Sequence, residues 1–481
     1  MAITSASAPD AAPQKVTLSG NYIDFTGAGS AWAQQYLPDL MEKEAEIFGK
    51  RTISGFLSQI GAEEPSQSDR VAWSEQGRLH LSYTATYVST HVLAIVNDID
   101  GNTIGTAEHG IRVGDTVIVT SSVGNTAKCH VQAVATGSNQ ITMYPYGAAD
   151  LATAIGTTST AGILRVMVYG SEFAKGTAAR TSANEPAFKS HFNKHIILKD
   201  FFEVSGSDAG NIGWVEVAGE AGQNGYMWYL KAEGDTRARF TDYIEMALLE
   251  GELAVAGSVV ENTSMGLSAS TTGYDAGTEG LFKAITTRGH QSTGITGVNP
   301  ATDLAEFDAM LAVFDQNGAI EENMMFVDRS TSLASDDMLA SMNSYGAGGT
   351  SYGVFQNSEE MALNLGFSGF RRGSYDFYKS DMKYLNDKAL RGGLNDSVNA
   401  IRGVVIPAGV SSVYDENLGK NLKRPFLHVR YKVSDTDNRK MKTWITGSVG
   451  AATSGKDVME VHYLSERCLI TQGANNFMVL N

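Results

Sequence analysis

Apolar positions change period several times along the chain, and each change predicts a different element. Between Glu220 and Glu252, Tyr226, Tyr229, Leu230, Phe240, Tyr243, Ile244, Ala247 and Leu248 recur in steps of three and four. That spacing places them on one stripe of an α-helix. Glu233 precedes Arg237 and Asp235 precedes Arg239 at i,i+4, acid first, the favourable order on a solvated face. A helix over the whole stretch would rise ~1.5 Å per residue to ~45–50 Å. Gly234 in its middle would cost up to ~1 kcal/mol against alanine, and a bend there is expected. An element this long reads either as an ordinary core helix or as the spine of a thin, extended domain.

From Tyr83 to Tyr169 the period drops to two. TATYVSTHVLAIV, GDTVIVTS, AKCHVQAV, QITMYPY and ILRVMVYG are short β-branched or alternating runs separated by Gly, Asn and Ser. Four to six such strands predict a small barrel or sandwich of ~85 residues. The polar stretches 61–82 and 171–190 bracket it, so the simplest topology is a long two-stranded excursion carrying a domain at its tip. HIILKDFFEV at 195–204 then reads as a strand.

Residues 260–424 mix periods, as an α+β domain does. TDLAEFDAMLAVFDQNG puts Leu304, Phe307, Leu311 and Phe314 on one face, with Thr302 or Asp303 as N-cap and Gly318 as the stop. ENMMFVDR and GVVIPAG read as buried strands, and ASDDMLASMNSYG as a second helix running into GAGGTSYG. In PFLHVRYKVS, Leu427, Val429, Tyr431 and Val433 alternate with polar residues, and MKTWITGSV and DVMEVHYLSERCLI follow as strands. Residues 1–20, rich in Ala, Ser and Pro, predict a flexible arm. Two short helical patterns occupy 30–60.

Composition narrows the function classes. At 481 residues the length prior of ~150 per domain gives about three domains. The net charge of −16, with no basic cluster, opposes a primary role on nucleic acid or an anionic membrane. Cys129 and Cys468 alone make neither a disulfide framework nor a zinc site. No run reaches ~18 apolar residues, so no membrane span is expected.

Candidate chemistry is sparse. Gly349-Thr350-Ser351-Tyr352-Gly353 matches G-x-S-x-G. The nucleophile elbow needs a strand before and a helix after, whereas here a helical pattern precedes and a Gly-rich loop surrounds. His191 and His195 are spaced i,i+4 but lie in a strand pattern, where that spacing separates them by ~13 Å and one metal is out of reach of both. Asp435, Asp437 and Asn438 lack the Gly and final Glu of a calcium loop and predict a hairpin turn. No Walker A loop or dinucleotide fingerprint occurs. The expectation is no catalytic, cofactor-binding or metal-binding residue, and a chain that is not an enzyme.

The order of elements resembles a family. EFAKGTAARTS, then NEPAFKSHFNKHIILKDFFEVSG, looks like the descending arm of an extended E-loop, and AGQNGYMWYLKAEGDTRARFTDYIEMALLEG looks like the spine helix after it. The layout is similar to the major capsid proteins of tailed bacteriophages, with the Hong Kong phage coat fold, and within them to the crAss-like phage group. The resemblance implies an α+β fold with an N-arm at 1–50 and an E-loop at 51–82 and 171–205. It further implies a peripheral domain with the spine helix at 206–260 and 425–481, an axial domain at 261–424, and an inserted β domain at 83–170. The implied function is self-assembly into hexamers and pentamers that form an icosahedral shell around packaged phage DNA. The protein would reside in the virion, and in host cytoplasm during assembly. Its partners would be other copies of itself, a separate scaffold, a portal and auxiliary or decoration proteins. Packaged DNA would be met only by weak, non-specific contact, a membrane not at all. Two rivals stand beside it: a serine hydrolase using Ser351 with 83–170 as an appended binding barrel, and another virion or compartment shell protein.

Overall fold

Two strands lead the described chain, β1 (Glu63–Ser66) and β2 (Arg70–Gln76), and the run after them closes a barrel. The computed structural model describes residues 63–481 except 77–79, 100, 107, 123, 136, 157–163, 179, 181–182, 185–187, 208–215, 219–223, 256–275, 344–368, 396–399, 409, 416–419 and 449–452. The expected arm at 1–50, the helical patterns of 30–60 and the segment around Ser351 lie outside the described residues. The described chain mixes helix and strand and divides into two units, Trp73–His191 and the remainder.

The barrel comprises β3 (Ser82–Ser89), β4 (Val92–Asn97), β5 (Asp115–Ser121), β6 (Thr126–Val134), β7 (Gln140–Pro145) and β8 (Leu164–Ser171). Its closed order is β3-β4-β7-β6-β5-β8. TATYVSTHVLAIV, one run in the sequence, becomes two strands because the chain turns at Thr90 and His91. Alternate side chains point inward, so Leu93, Val117, Val131, Ile141 and Val166 have no exposed surface. A short helix, α1 (Leu151–Ile155), adds Leu151 and Ile155 to that core. Asp150 Oδ1 caps it by accepting from Thr153 N at 2.6 Å.

The stretch after β8, read in the sequence as part of a polar two-stranded excursion, folds back on the barrel. Arg180 pairs with the buried Asp115, Asn184 Nδ2 donates to the Gly110 carbonyl at 3.2 Å, and Phe173 lies on Gly114. Gly114 has φ of 86°, and a Cβ there would come within 2.6 Å of the Phe173 ring. The unit therefore extends beyond the 83–170 read from strand spacing. Part of β2 belongs to it as well: β2 pairs with β9 (Phe188–Lys194) as a two-stranded ribbon.

In the other unit, β10 (Ile196–Ser205) pairs antiparallel along its whole length with β22 (Val458–Thr471), Ile196 opposite Arg467 and Ser205 opposite Val458. Residues 196–205, grouped with the excursion in the sequence, thus sit in the main sheet. The far edge of β22 carries β20 (Leu427–Lys432) and β21 (Lys442–Gly447), and β1 adds parallel to β20. The clean alternation expected in β20 fails at His428, which is 1% exposed like its neighbours, because the strand is covered on both faces. Gly447 at φ 131° ends β21 where a Cβ would stand 1.8 Å from the Val458 carbonyl oxygen.

The long helix α2 spans Met227–Glu250, 24 residues or ~36 Å. It starts later than Glu220 because the chain before it forms strands: β11 (Glu216–Ala218) pairs with β12 (Asn224–Tyr226). Its buried line is Ala232, Thr236, Phe240, Ile244 and Leu248, a strict i,i+4 row, with Glu245 and Leu249 beside it. Tyr243, assigned to the stripe, is 46% exposed. The side chains of Tyr226, Tyr229 and Leu230 lie outside the described residues. Phe240 meets Tyr463 of β22 with ring centroids 6.0 Å apart, and Ala232 packs with Phe202 and Val204 of β10.

A second sheet runs β13-β23-β17-β14-β16-β15: β13 (His290–Ser292), β14 (Glu322–Val327), β15 (Gly369–Arg372), β16 (Tyr375–Asp381), β17 (Gly403–Pro407) and β23 (Met478–Leu480). Four helices accompany it: α3 (Leu281–Arg288), α4 (Pro300–Asn317), α5 (Arg329–Asn343) and the short α6 (Lys383–Asn386). The hairpin β18 (Val410–Asp415) and β19 (Lys420–Pro425) follows β17. ENMMFV and GVVIP are buried strands, as their sequences predict. α4 begins before Thr302: Asn299 caps it through Ala301 N at 3.0 Å, and Pro300 fits the first turn, where its missing N–H costs nothing. Asp303 instead turns inward to accept from Gly297 N at 2.9 Å. Gly318 ends the helix at φ 62°.

Gly234 is exposed within unbroken helix, with no atom within 4 Å of an added Cβ. Gly234→Ala is therefore expected to raise stability by about 0.5–1 kcal/mol, read as a higher urea midpoint at unchanged slope.

Candidate functional site

No nucleophile or metal cluster organises the described residues: none of their His, Cys, Asp and Glu form a group of three able to hold a metal ion. Two other features stand out in the larger unit, a polar junction where β1 and β9 meet the main sheet and an aromatic row on that sheet's outer face.

The junction is built on residues the sequence showed only as scattered charges. Arg467 of β22 is 8% exposed. Its Nη1 donates to Glu63 Oε1 at 3.0 Å, its Nη2 to the Lys440 carbonyl at 2.8 Å, and its Nε to Ser465 Oγ at 2.8 Å. A guanidinium taken out of water needs these partners, and burial holds its pKa below the ordinary arginine value while Glu63 raises it. Arg430 donates to Glu64 at 2.9 Å. Lys432 pairs with Asp69 and, at 3.6 Å, with Glu466, which also holds Arg439. The bond from Lys432 keeps the Asp69 carboxyl below its usual range. Exposed pairs of this kind contribute ~0–1 kcal/mol each, so they fix the register of β1 more than its stability.

On the other side, Asn193 of β9 has no exposed surface and uses its whole amide. Nδ2 donates to the carbonyls of Glu279 at 2.9 Å and Leu469 at 2.6 Å. Oδ1 accepts from Glu279 N and Lys194 N, both at 2.8 Å, and from Thr278 Oγ1 at 3.2 Å. The ribbon strand, the turn before α3 and β22 are thereby tied at one point. Nothing in the run FKSHFNK singles out Asn193. Its partners are 85 residues or more away, except for the adjacent Lys194.

The aromatic row follows from strand pairing. Phe201 lies opposite His462, and His462 opposite Trp444. Side chains at opposed positions share a face, and here it is the face away from α2, since Phe202, Val461 and Tyr463 take the helix side. The rings stack, Phe201 on His462 at 5.9 Å and Trp444 on His462 at 5.2 Å. His462 Nε2 lies 2.8 Å from Thr446 Oγ1 and 3.1 Å from Glu460 Oε2, and Lys442 stands 6.0 Å over Trp444. Phe201 is 52% and Ile197, four residues earlier on the same face, 51% exposed.

The sequence candidates are placed as follows. His191 has Nε2 3.8 Å from Glu75 and its ring 6.0 Å from Trp73. His195 has Nδ1 3.2 Å from the Asp69 carbonyl oxygen, a separate contact. Asp437 pairs with Lys442 at 2.8 Å, and its N–H and carbonyl bond back to Ser434 across a turn bridged by Val433 and Asn438. Asp435, Asp437 and Asn438 therefore close the connection from β20 toward β21. Ser351 lies outside the described residues. Cys129 and Cys468 are both buried, and burial pushes each thiol up to about 12.

No family model matches the chain, and no curated protein matches it. Among solved structures it is similar to a chain of Microbacterium phage Oxtober96, at 9% identity over 93% of this chain and 97% of that one, with a TM-score of 0.37. It is similar to the capsid of a native GTA particle at 11% identity, 94% and 97% coverage and a TM-score of 0.39. For the capsid structure of cyanophage P-SCSP1u the values are 10%, 65%, 79% and 0.33.

Burial holds the pKa of His195 below its usual 6.5, outweighing the bond to Asp69. The folded state then favours neutral imidazole. Below pH 6.5 the unfolded chain takes up a proton first, so this residue costs stability as pH falls through about 6.5 toward its folded value. His195→Gln should flatten the loss of stability between about pH 6.5 and 5, compared with the parent by urea unfolding at each pH.

Proposed function

We propose that this chain is the major coat protein of a tailed phage, a structural protein that assembles in many copies into a closed shell. The observation that carries the reading is the outer face of the main sheet. A sheet covered by α2 on one side turns Phe201, Trp444, His462 and Ile197 outward on the other. Exposed apolar faces of this kind belong to surfaces that a further molecule covers. The order of elements supports the same reading: the ribbon of β2 and β9, then β10, the long helix, the α+β region and strands that return to both sheets.

Head-to-tail contacts between copies close into rings, and rings of six and five tile a shell. In this reading residues 1–50 and the ribbon side of the excursion reach across subunit boundaries. The barrel unit, read from the sequence as 83–170, serves as an inserted domain. The acidic balance of −16 suits a lining that holds its DNA loosely. Scaffold, portal and decoration proteins are separate chains that the shell recruits, and residence in the virion follows from the same role.

Two measurements test this. Negative-stain microscopy of the purified protein should show closed particles, and deletion of residues 1–50 should abolish them while leaving the far-UV dichroism of the remaining fold. A monomer in its working state, or normal particles from the deleted form, overturns the reading. The hydrolase alternative predicts esterase activity that Ser351→Ala removes, and no such activity is expected.

A further inference from the structure

β10 is an edge strand of the main sheet: β22 lies along one side of it, and among the described residues no strand lies along the other. Which backbone groups face the open side follows from the pairing. In an antiparallel ladder every second residue turns its N–H and C=O toward the partner strand. Just past β10, Gly206 N donates to the Asp457 carbonyl at 3.1 Å, in register with the pairing to β22. That register runs without a bulge from Ile196 to Ser205. The even residues therefore face β22, and Ile197, Lys199, Phe201, Glu203 and Ser205 face outward. Two local bonds agree with this. The odd residue before Ile197, His195, donates its N–H to the Asp69 carbonyl at 3.3 Å, and Phe201 N donates to the Asp200 carboxylate at 2.9 Å. Asp69 covers the start of the edge, and from Ile197 onward no described strand continues that cover.

An open edge of this kind is a template for another strand. Proteins close such edges with proline or a bulge, and IILKDFFEVS has neither. Its side chains specify what fits. Paired antiparallel with a copy of itself about a two-fold axis at Phe201, the strand sets Lys199 opposite the partner's Glu203 and Glu203 opposite the partner's Lys199. Phe201 meets the partner's Phe201, and on the helix side Leu198 meets the partner's Val204. Opposite charges in directly opposed positions favour a pairing, and like charges oppose it. Sliding the strands to the next register one way sets Asp200 against the partner's Asp200. Sliding them the other way sets Lys199 against the partner's Ser205, with no carboxylate opposite. The charges are also available. Lys199 is exposed, and no described carboxylate pairs with it. Glu203 shares a single ammonium, Lys456, with Glu460, each at 2.9 Å, so two carboxylates there meet one cation. A pattern that answers itself in both directions is what a two-fold contact requires.

We propose that β10 pairs antiparallel with β10 of a second copy of this chain, centred on Phe201, so that two main sheets join into one. Asp200 gives up the Phe201 N–H to the partner's Phe201 carbonyl and keeps its bond to Arg239. The inference rests on the shell-forming reading in taking the chain to work in many copies, and it adds a two-fold contact to the head-to-tail ones.

The native cysteines are buried, so introduced thiols report alone. Phe201→Cys and Ile197→Cys are made in the full chain and treated with a short bis-maleimide, and micrographs are taken of the same samples. Across the two-fold the backbones at 201 would lie ~5.5 Å apart, and those at 197 ~27 Å apart, beyond the linker. Most chains with a cysteine at 201 should link in pairs, and few with one at 197. In the Phe201→Cys chain, Lys199→Glu or Glu203→Lys should each cut linkage several-fold, and the two together should restore it. Little linkage at 201, equal linkage at 201 and 197, or charge changes without loss and restoration overturn the proposal. Particles without linkage at 201 sink this contact and leave the shell reading standing. Linked pairs without particles support the contact and count against the shell. If Phe201→Cys fails to fold, a chain carrying both Ile197→Cys and Ser205→Cys decides, because those positions oppose each other only across the two-fold: it links if the contact forms and stays single if it does not.

Discussion

The second half of strand β22 cannot face water on either side. Its last nine residues, Tyr463 to Thr471, are all buried, including Ser465, Glu466 and Arg467. A strand buried on both faces must have partners along both edges and cover above and below. The arrangement of the larger unit meets these demands. β10 takes one edge and β20 with β21 the other, α2 covers one face through Phe240, and the Ser434–Lys440 turn covers part of the other, satisfying Arg467 and Ser465 through the Lys440 carbonyl. Asn193 adds the last constraint by binding the Leu469 carbonyl.

The same strand joins the two sheets. It leaves the main sheet at Thr471, and after a short turn the chain re-enters the second sheet as β23, between β13 and β17. The apolar cluster reflects this: Phe240, Ile244 and Tyr463 share it with Leu281, Ile285, Phe326, Val404 and Val479. Burial at ~25 cal/mol per Å² makes a shared cluster of this size the main source of cohesion. A helix that supplies its row to both sheets is a rigid reference for them. Tyr384 and Arg391, both bonded to Glu250 at the helix end, extend that reference into the α+β region.

The face of the main sheet away from α2 is left largely apolar around Phe201 and Ile197. Lys442, Lys456 and Glu460 border it.

The sequence determined the elements whose pattern is local. The barrel strands, the buried strands ENMMFV and GVVIP and the long helix each carry a period of two or 3.6 that survives any tertiary context. Gly318 ends α4 where it was expected because only the left-handed region closes the helix there. What tertiary structure decided was wherever a partner lies far along the chain. The helix begins at Met227 and not Glu220 because Asn224–Tyr226 pairs with Glu216–Ala218. Tyr243 leaves the stripe and Thr236 joins it because the sheet fixes which side of the helix is dry. Phe173 and Arg180 return to their own barrel because Asp115, 65 residues before Arg180, is buried and in need of a cation. The junction at Asn193 and Arg467 left no trace in local sequence, since hydrogen bonds spanning 276 and 404 residues have no period to read.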